Sequence, residues 1–242
     1  MGALLDTLFP PECAACRAPT DSAHGLCSEC WADTAFISGP VCDSCGVPVA
    51  AASPAETLRC DGCLARPPAW DRGRAAVLYD GRAREVILRL KHRDRLDLAA
   101  VLARWLARAG GGLLAEADLL APVPLHWTRL LHRRANQAAE LIRQPPLRRY
   151  ARPVPGLLER QRATQTLKGK NRTERAQILA GSIRVASRHA AAVAGKRVLL
   201  VDDVMTTGAT LSACAEALRG AGAAGVDVLV IARVAKDQFA PI

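Results

Sequence analysis

Aromatic residues are few in this 242-residue chain: four Trp, three Phe and two Tyr. Long apolar runs are missing as well. Half of the residues are hydrophobic, yet no run approaches the roughly 20 residues that carry a helix across a bilayer. A helical membrane span is not expected, while the apolar content suffices for the core of one or two domains. Met1 to Phe9 has no basic leader and carries Asp6, so it does not read as a secretory signal, and the cytoplasm is the expected location. No G-x-x-x-x-G-K-[ST] occurs, which excludes a Walker-type nucleotide loop. Acids are in the minority, 23 against 33 Lys and Arg, for a net charge of +10. That balance points toward anionic partners such as phosphates, nucleic acid or anionic lipid, without choosing between them.

Cysteine, by contrast, is concentrated. Eight of the nine form four C-x-x-C pairs: Cys13/Cys16, Cys27/Cys30, Cys42/Cys45 and Cys60/Cys63. In a reducing compartment such a count favours metal over disulfides. Each pair presents two thiolates from a tight knuckle, and two pairs close a tetrahedral four-cysteine zinc site with no open position for catalysis. Eight ligands therefore imply two structural Zn²⁺ ions. A redox C-x-x-C is expected beside a thioredoxin-like βαβ pattern, which is missing here. Sequential pairing, Cys13/16/27/30 and Cys42/45/60/63, leaves shorter loops to close than an interleaved arrangement. The segment has little apolar material, so zinc stands in for a core. Its own staples suggest a head that folds apart from the rest. Arg66-Pro67-Pro68 marks the boundary, giving a head over residues 1–67 and a second domain over 68–242. Cys214 stands alone and reads as a small core residue.

The second domain alternates strand and helix patterns. Ala75–Tyr79, Ala117–Pro124, Arg197–Val201 and Val226–Ala232 read as strands. Helical stripes cover Arg82–His92, Leu96–Ala109, a segment running through Asn136 and Gln137 to Ile142, and Thr210–Ala221. That alternation predicts a parallel α/β sheet, with ligands beyond the carboxyl ends of its strands. Lys91, His92, Arg93 and Arg95 cluster between two helices, where they could meet phosphate or cap a solvated helix end.

The stretch with most chemical content is Val198-Leu199-Leu200-Val201-Asp202-Asp203-Val204-Met205-Thr206-Thr207-Gly208-Ala209-Thr210-Leu211. A buried strand runs into two adjacent acids, which repel and call for a cation or a donor-rich ligand. The turn after them supplies hydroxyls, and its N–H groups can converge at a helix N-terminus that favours phosphate. Carboxylates beside a phosphate cradle suit a phosphorylated sugar. The alternative is a solvated acidic tip. The stretch resembles the ribose-5-phosphate motif of type I phosphoribosyltransferases: four apolar residues, two acids, an apolar residue, then T-T-G-x-T.

Taken with the cysteine pairs, Pro122-Val123-Pro124-Leu125-His126, the R-x-x-N-Q-A at Arg133–Ala138 and a Thr/Gln/Arg loop around Arg162–Arg175, the chain resembles the ComF family, linked to competence for DNA uptake. The resemblance implies an N-terminal double zinc-ribbon head joined to a type I phosphoribosyltransferase-like parallel sheet. It implies phosphoribosyl diphosphate as ligand, with Mg²⁺. Asp202 and Asp203 would take the ribose hydroxyls and support a developing cation in catalysis. Met205, Thr206, Thr207, Gly208, Ala209 and Thr210 would hold the 5-phosphate. Val123, Pro124 and His126 would face the diphosphate. This sequence has Arg134-Ala135 where a Gly-aromatic pair is usual before Asn-Gln.

Arg129 to Arg175 carries thirteen basic residues against Glu140, Glu159 and Glu174. Arg160, Arg162, Lys168, Lys170 and Arg172 lie in a polar stretch that reads as a mobile loop over diphosphate, a track for a nucleic-acid backbone, or a solvated Arg-rich surface. Two functions follow. One is a phosphoribosyltransferase-like protein of DNA uptake, catalysis included or not. The other is a non-catalytic accessory protein that binds single-stranded DNA alongside other competence proteins.

Overall fold

The computed structural model describes residues 11–20, 25–50, 57–92, 95, 97–125, 136–161 and 181–235. Its centre is a five-stranded sheet in the order β1-β7-β6-β2-β3, with every neighbouring pair parallel. The strands are β1 (Gly73–Leu78), β2 (Leu119–Pro122), β3 (Arg152–Pro153), β6 (Arg197–Met205) and β7 (Gly225–Arg233). β4 (Leu158–Arg160) and β5 (Ile183–Val185) form a separate antiparallel pair. The central strands are continuous runs of Val, Leu and Ile because both faces are covered. Residues 198–201 and 226–232 are buried, all at 0% exposure where apolar.

Alternation along β6 and β7 divides the core in two. Leu199, Val201, Leu229 and Ile231 face α3 (Gly81–His92), α4 (Leu98–Ala109), α5 (Gly111–Glu116), α6 (Gln137–Arg143) and α7 (Pro145–Arg148). Val198, Leu200, Val228 and Val230 face α9 (Ala209–Gly220), the β4–β5 pair and Val193 of the short α8 (Ala190–Val193). No described helix is long and apolar enough to cross a membrane.

Among its described residues the head carries two short helices, α1 (Ser28–Ala32) and α2 (Asp61–Ala65), each starting just after a cysteine. It packs directly against the sheet. Cys13 and Cys30 belong to the first core cluster, and Cys42, Cys45 and Cys63 to the second. The edge strand β1 joins them: Ile37 N–H donates to Ala76 O at 2.9 Å, Leu78 N–H to Ala35 O at 2.9 Å and Gly73 N–H to Asp43 O at 2.7 Å. The head thus occupies the open hydrogen-bonding side of a sheet edge, a position natural proteins rarely leave bare. Gly46 makes the approach feasible: at φ +70°, a Cβ there would sit 2.8 Å from Ala75 N.

Sequence expectations for the strands and helices hold within a few residues, with two informative exceptions. β6 does not stop before the acids but continues through Asp202 and Asp203 to Met205. Asn136 is not inside a helix but caps one: its Oδ1 accepts from Ala138 N and Ala139 N at 3.1 and 3.4 Å.

Candidate ligand site and metal centres

Each metal centre is built from two knuckles. The Sγ atoms of Cys13, Cys16, Cys27 and Cys30 lie within 4.8 Å of one another, as do those of Cys42, Cys45, Cys60 and Cys63. This is the sequential pairing. Cys16 and Cys27 sulfurs are 3.6 Å apart, and Cys45 and Cys60 sulfurs 3.7 Å. Tetrahedral Zn–S bonds of about 2.3 Å require S···S of about 3.8 Å, so the donor sets fit zinc. Knuckle N–H groups already point at sulfur, as Cys27 N–H does at Cys13 Sγ (3.3 Å) and Ala18 N–H at Cys16 Sγ (3.4 Å). Crowding divides the thiols without metal. Burial raises the Cys13 thiol, but N–H groups from Cys16, Cys27 and Ala15 hold it down at about 6. Hydrogen bonds from Cys45 and Cys63 push Cys42 far down, while the Cys42 contact pushes Cys45 up to about 11. A divalent cation replaces this competition for protons.

The acidic strand end follows from the length of β6. Because the strand continues past Val201, neighbouring residues point to opposite faces. Asp203 falls on the face of Leu199 and Val201, where Lys91 Nζ of α3 meets its Oδ2 at 2.9 Å. Asp202 is on the other face, where its charge raises the fully buried Cys214 thiol after burial itself, the largest cause, and Arg160 opposes it. The two acids are therefore not a crowded pair, and the cation for one of them comes from this chain. Lys91 was visible in the sequence only as part of a basic cluster; its partner was not. Asp203 N–H donates to Asp202 Oδ1 at 2.9 Å.

Beyond the acids, Asp202 and residues 204–211 enclose a cleft of about 40 Å³. At roughly 10–15 Å³ per water-sized sphere, that admits a few polar atoms and no ring system. Gly208 is the N-cap of α9 at φ +77°. A Cβ there would meet the Trp70 ring at 2.7 Å. Thr207 Oγ1 accepts from Ala209 N–H at 3.4 Å. The first-turn amides of a twelve-residue helix face the cleft, and its dipole favours an anion there. The Met205 side chain is core, 2% exposed. Its carbonyl, with those of Thr206 and Val234, accepts from Arg233 Nη1 at 3.1, 2.6 and 2.7 Å. Arg233 thus fixes the loop from behind. It ends a strand and gives no sequence signal of that role.

Val123 and Pro124 are buried, and Val123 N–H donates at 3.0 Å to the carbonyl of Val201, the residue before Asp202. Asn136 Nδ2 donates to Val123 O at 3.1 Å, so the cap residue of α6 also holds the proline loop. His126, Arg162, Lys168, Lys170 and Arg172 lie outside the described residues. Arg160 is ordered and half-buried on β4 rather than in a loop. Cys214 is fully buried, its thiol raised by desolvation, as fits an inert core residue.

Known proteins share this organisation. A double zinc ribbon domain matches residues 4–64, and a phosphoribosyl transferase domain matches residues 148–241. The DNA utilization protein YhgH of Escherichia coli K12 is 32% identical over 232 residues, covering 93% of this chain and 97% of its own. Its Salmonella typhimurium counterpart is 33% identical over the same coverage. Competence protein F of Haemophilus influenzae is 31% identical over 235 residues, 93% of this chain and 98% of that one. The chain belongs to the ComF family. Among solved structures, one titled as the allosteric regulatory enzyme of purine biosynthesis aligns over 55% of this ComF protein and 26% of its own chain, at 24% identity and a TM-score of 0.33.

Proposed function

We propose that this ComF protein binds phosphoribosyl diphosphate with Mg²⁺ at the end of β6 and serves DNA uptake or utilisation. The observation that carries the reading is the sequence of parts at that end. An acid on each face of the strand leads into an anion-sized cleft closed by Gly208 and the first turn of α9. In this reading the α9 amides and Thr hydroxyls bind the 5-phosphate, and Asp202 and Asp203 accept from the ribose hydroxyls. Lys91 keeps Asp203 compatible with a dianionic ligand. The diphosphate extends toward Val123 and Pro124. Mg²⁺ would be held chiefly by ligand oxygens and water and would supply positive charge to offset that of the diphosphate. If transfer occurs, the two carboxylates favour positive charge developing at the anomeric carbon.

The role in DNA handling rests on the names of the relatives, which match nearly end to end, and on the net charge of +10. A second reading keeps the same pocket in a non-catalytic protein that holds single-stranded DNA by phosphate contacts. Its retention would weaken steeply with salt, by a slope of about 0.7 per phosphate contacted.

Calorimetric titration with phosphoribosyl diphosphate at fixed Mg²⁺ tests the site. Asp202→Asn with Asp203→Asn should weaken binding at least about tenfold, equivalent to about 1.4 kcal/mol. Unchanged affinity would contradict the assignment. Diphosphate release on addition of nucleobase acceptors separates a transferase from a binding protein.

A further inference from the structure

An open cleft of about 830 Å³ lies between the first metal knuckle and α4, and no residue of the acidic strand end lines it. Three of the nine aromatic residues of this aromatic-poor chain meet there. The rings of Trp31 and Phe36 are 4.3 Å apart at 30°, and Phe36 stands edge-on to Trp105 at 5.1 Å. Trp105 is 7% exposed, as a core residue should be, but Trp31 is 46% exposed. Trp31 directly follows the ligand Cys30 within α1, so the metal site fixes this indole while leaving much of it in water.

The charge of the cleft is one-sided. Arg74, Arg104 and Arg108 line it, and among the described residues no Asp or Glu does. Arg74 is engaged by Asp43 at 2.8 Å. Arg108 has no carboxylate partner among the described residues; its guanidinium instead hangs 6.0 Å above the Trp31 ring. A neighbouring cleft of about 590 Å³ shares Arg104 and Arg108 and runs past Pro145 and Pro146 to Arg149, which lies 4.8 Å over the Tyr150 ring. It too has no acidic lining residue among those described.

A volume of this size suits a ligand the size of a cofactor or nucleotide. An exposed indole offers a stacking face, and an arginine without a carboxylate offers a fork for phosphate. A ring held between two planes needs about 7 Å, two contacts of about 3.5 Å. The 6.0 Å separation widens to that by a rotamer change of one arginine. A lipid headgroup would leave the indole unused, and a purely apolar ligand would leave the arginines unused. We propose that this cleft is a nucleotide-binding site, in which a base stacks on Trp31 and its phosphate meets Arg108 with Arg104 beside it. The unit recognised is a base plus a phosphate. It can arrive as a free mononucleotide or as one residue of a single strand whose neighbours follow the second cleft to Arg149. The proposal is independent of the phosphoribosyl reading.

The test titrates full-length, zinc-loaded protein with dAMP and, separately, with a ten-residue oligodeoxyadenylate. Tryptophan fluorescence and calorimetry follow binding, with adenosine and inorganic phosphate as half-ligands. At least one of the two nucleotide probes should saturate a single site, and the half-ligands should bind at least about tenfold more weakly. Trp31→Ala should weaken the bound probe roughly five- to hundredfold, the range for one stacked base. Arg108→Ala should weaken it at least about fivefold. Trp31→Phe and Arg108→Lys should keep most of the affinity, and these conservative variants decide the question if an alanine variant loses its metal. Asp202→Asn with Asp203→Asn should leave this binding intact, which separates it from the phosphoribosyl site. Binding of dAMP alone identifies a free nucleotide as the ligand. An oligomer that binds far tighter than dAMP, and that Arg149→Ala weakens, identifies a strand. The proposal is overturned if neither probe binds, or if binding survives both Trp31 and Arg108 variants or disappears in the Asp202/Asp203 variant.

Discussion

The two metal centres share the same C-x-x-C knuckles and one donor set, yet they hold different things. The first, at Cys13/16/27/30, packs with the helices on one face of the sheet and fixes Trp31 beside α4. The second, at Cys42/45/60/63, packs on the opposite face with α9. Its knuckle carbonyl at Ser44 accepts from Trp70 Nε1 at 2.6 Å, and the Trp70 ring rests against Gly208 of the anion loop. One site therefore supports an aromatic shelf and the other supports the acidic strand end. Coordination chemistry is the same in both; the face of β1 on which each knuckle lands decides what the metal stabilises.

Breaking one centre at a time should expose that division most strongly. Cys13→Ser and Cys42→Ser should each lower zinc from two ions per chain to one and cost more than about 4 kcal/mol in unfolding experiments, the range for a lost metal ligand. Their effects on ligands should differ. Cys42→Ser should weaken phosphoribosyl diphosphate by tenfold or more at temperatures where the chain is still folded, whereas Cys13→Ser should leave it within about threefold. Equal losses would mean that the head acts as one block.

A milder change tests the link from the second centre to the loop. Trp70→Phe removes the indole donor to Ser44 O and trims the ring that faces Gly208. Leaving a buried carbonyl without its partner costs about 1–3 kcal/mol, and phosphoribosyl diphosphate affinity should fall while zinc stays at two. If stability and affinity are both unchanged, Trp70 is a bystander.

On the other face, Lys91→Gln breaks the pair with Asp203, whose side chains are 16% and 17% exposed. A pair this sheltered lies between a surface contact and a buried one, so a loss of about 1–3 kcal/mol is expected. Lys91→Gln with Asp203→Asn should recover most of it in a double-mutant cycle. Additive losses would show that the two side chains are not coupled.

The smallest effect should come just before β2, at Asp118. The Arg197 N–H, then Lys196, hold the Asp118 carboxyl below its ordinary value of 3.8. A depressed folded pKa contributes stability above the unfolded value and loses it as pH falls through the folded value. Asp118→Asn should therefore flatten the acid limb of the stability curve below about pH 4 and leave zinc content and ligand affinity unchanged. An unaltered limb would remove Asp118 from the acid response.

What the sequence revealed and what it hid follow from range. Knuckle spacing is local, so all eight ligands were readable and even their grouping could be argued from loop length. The strand runs and the Thr206–Thr210 turn were local too. The acids were misread in one respect: a strand assumed to end at Val201 makes Asp202 and Asp203 crowded neighbours, whereas a strand reaching Met205 turns them to opposite faces. Lys91, Arg233 and Asn136 act across distances that periodicity does not encode, through Asp203, the loop carbonyls and Val123 O. The Trp31 cleft escaped for the same reason, since its aromatics come from two parts of the chain.

The position of β1 has a consequence for how the molecule is made. Its sheet neighbour is β7, and the residues just before it reach equally far: Arg72 bonds Asp227, 155 residues downstream. At about 5–20 residues per second, a ribosome needs roughly 8–30 s to bridge that interval. Both sets of thiols emerge and can capture their ions well before the strand that seats β1 exists. Metal loading can thus precede closure of the sheet, so in a nascent chain short of zinc β7 still meets β6 but finds the β1 side without its ordered head.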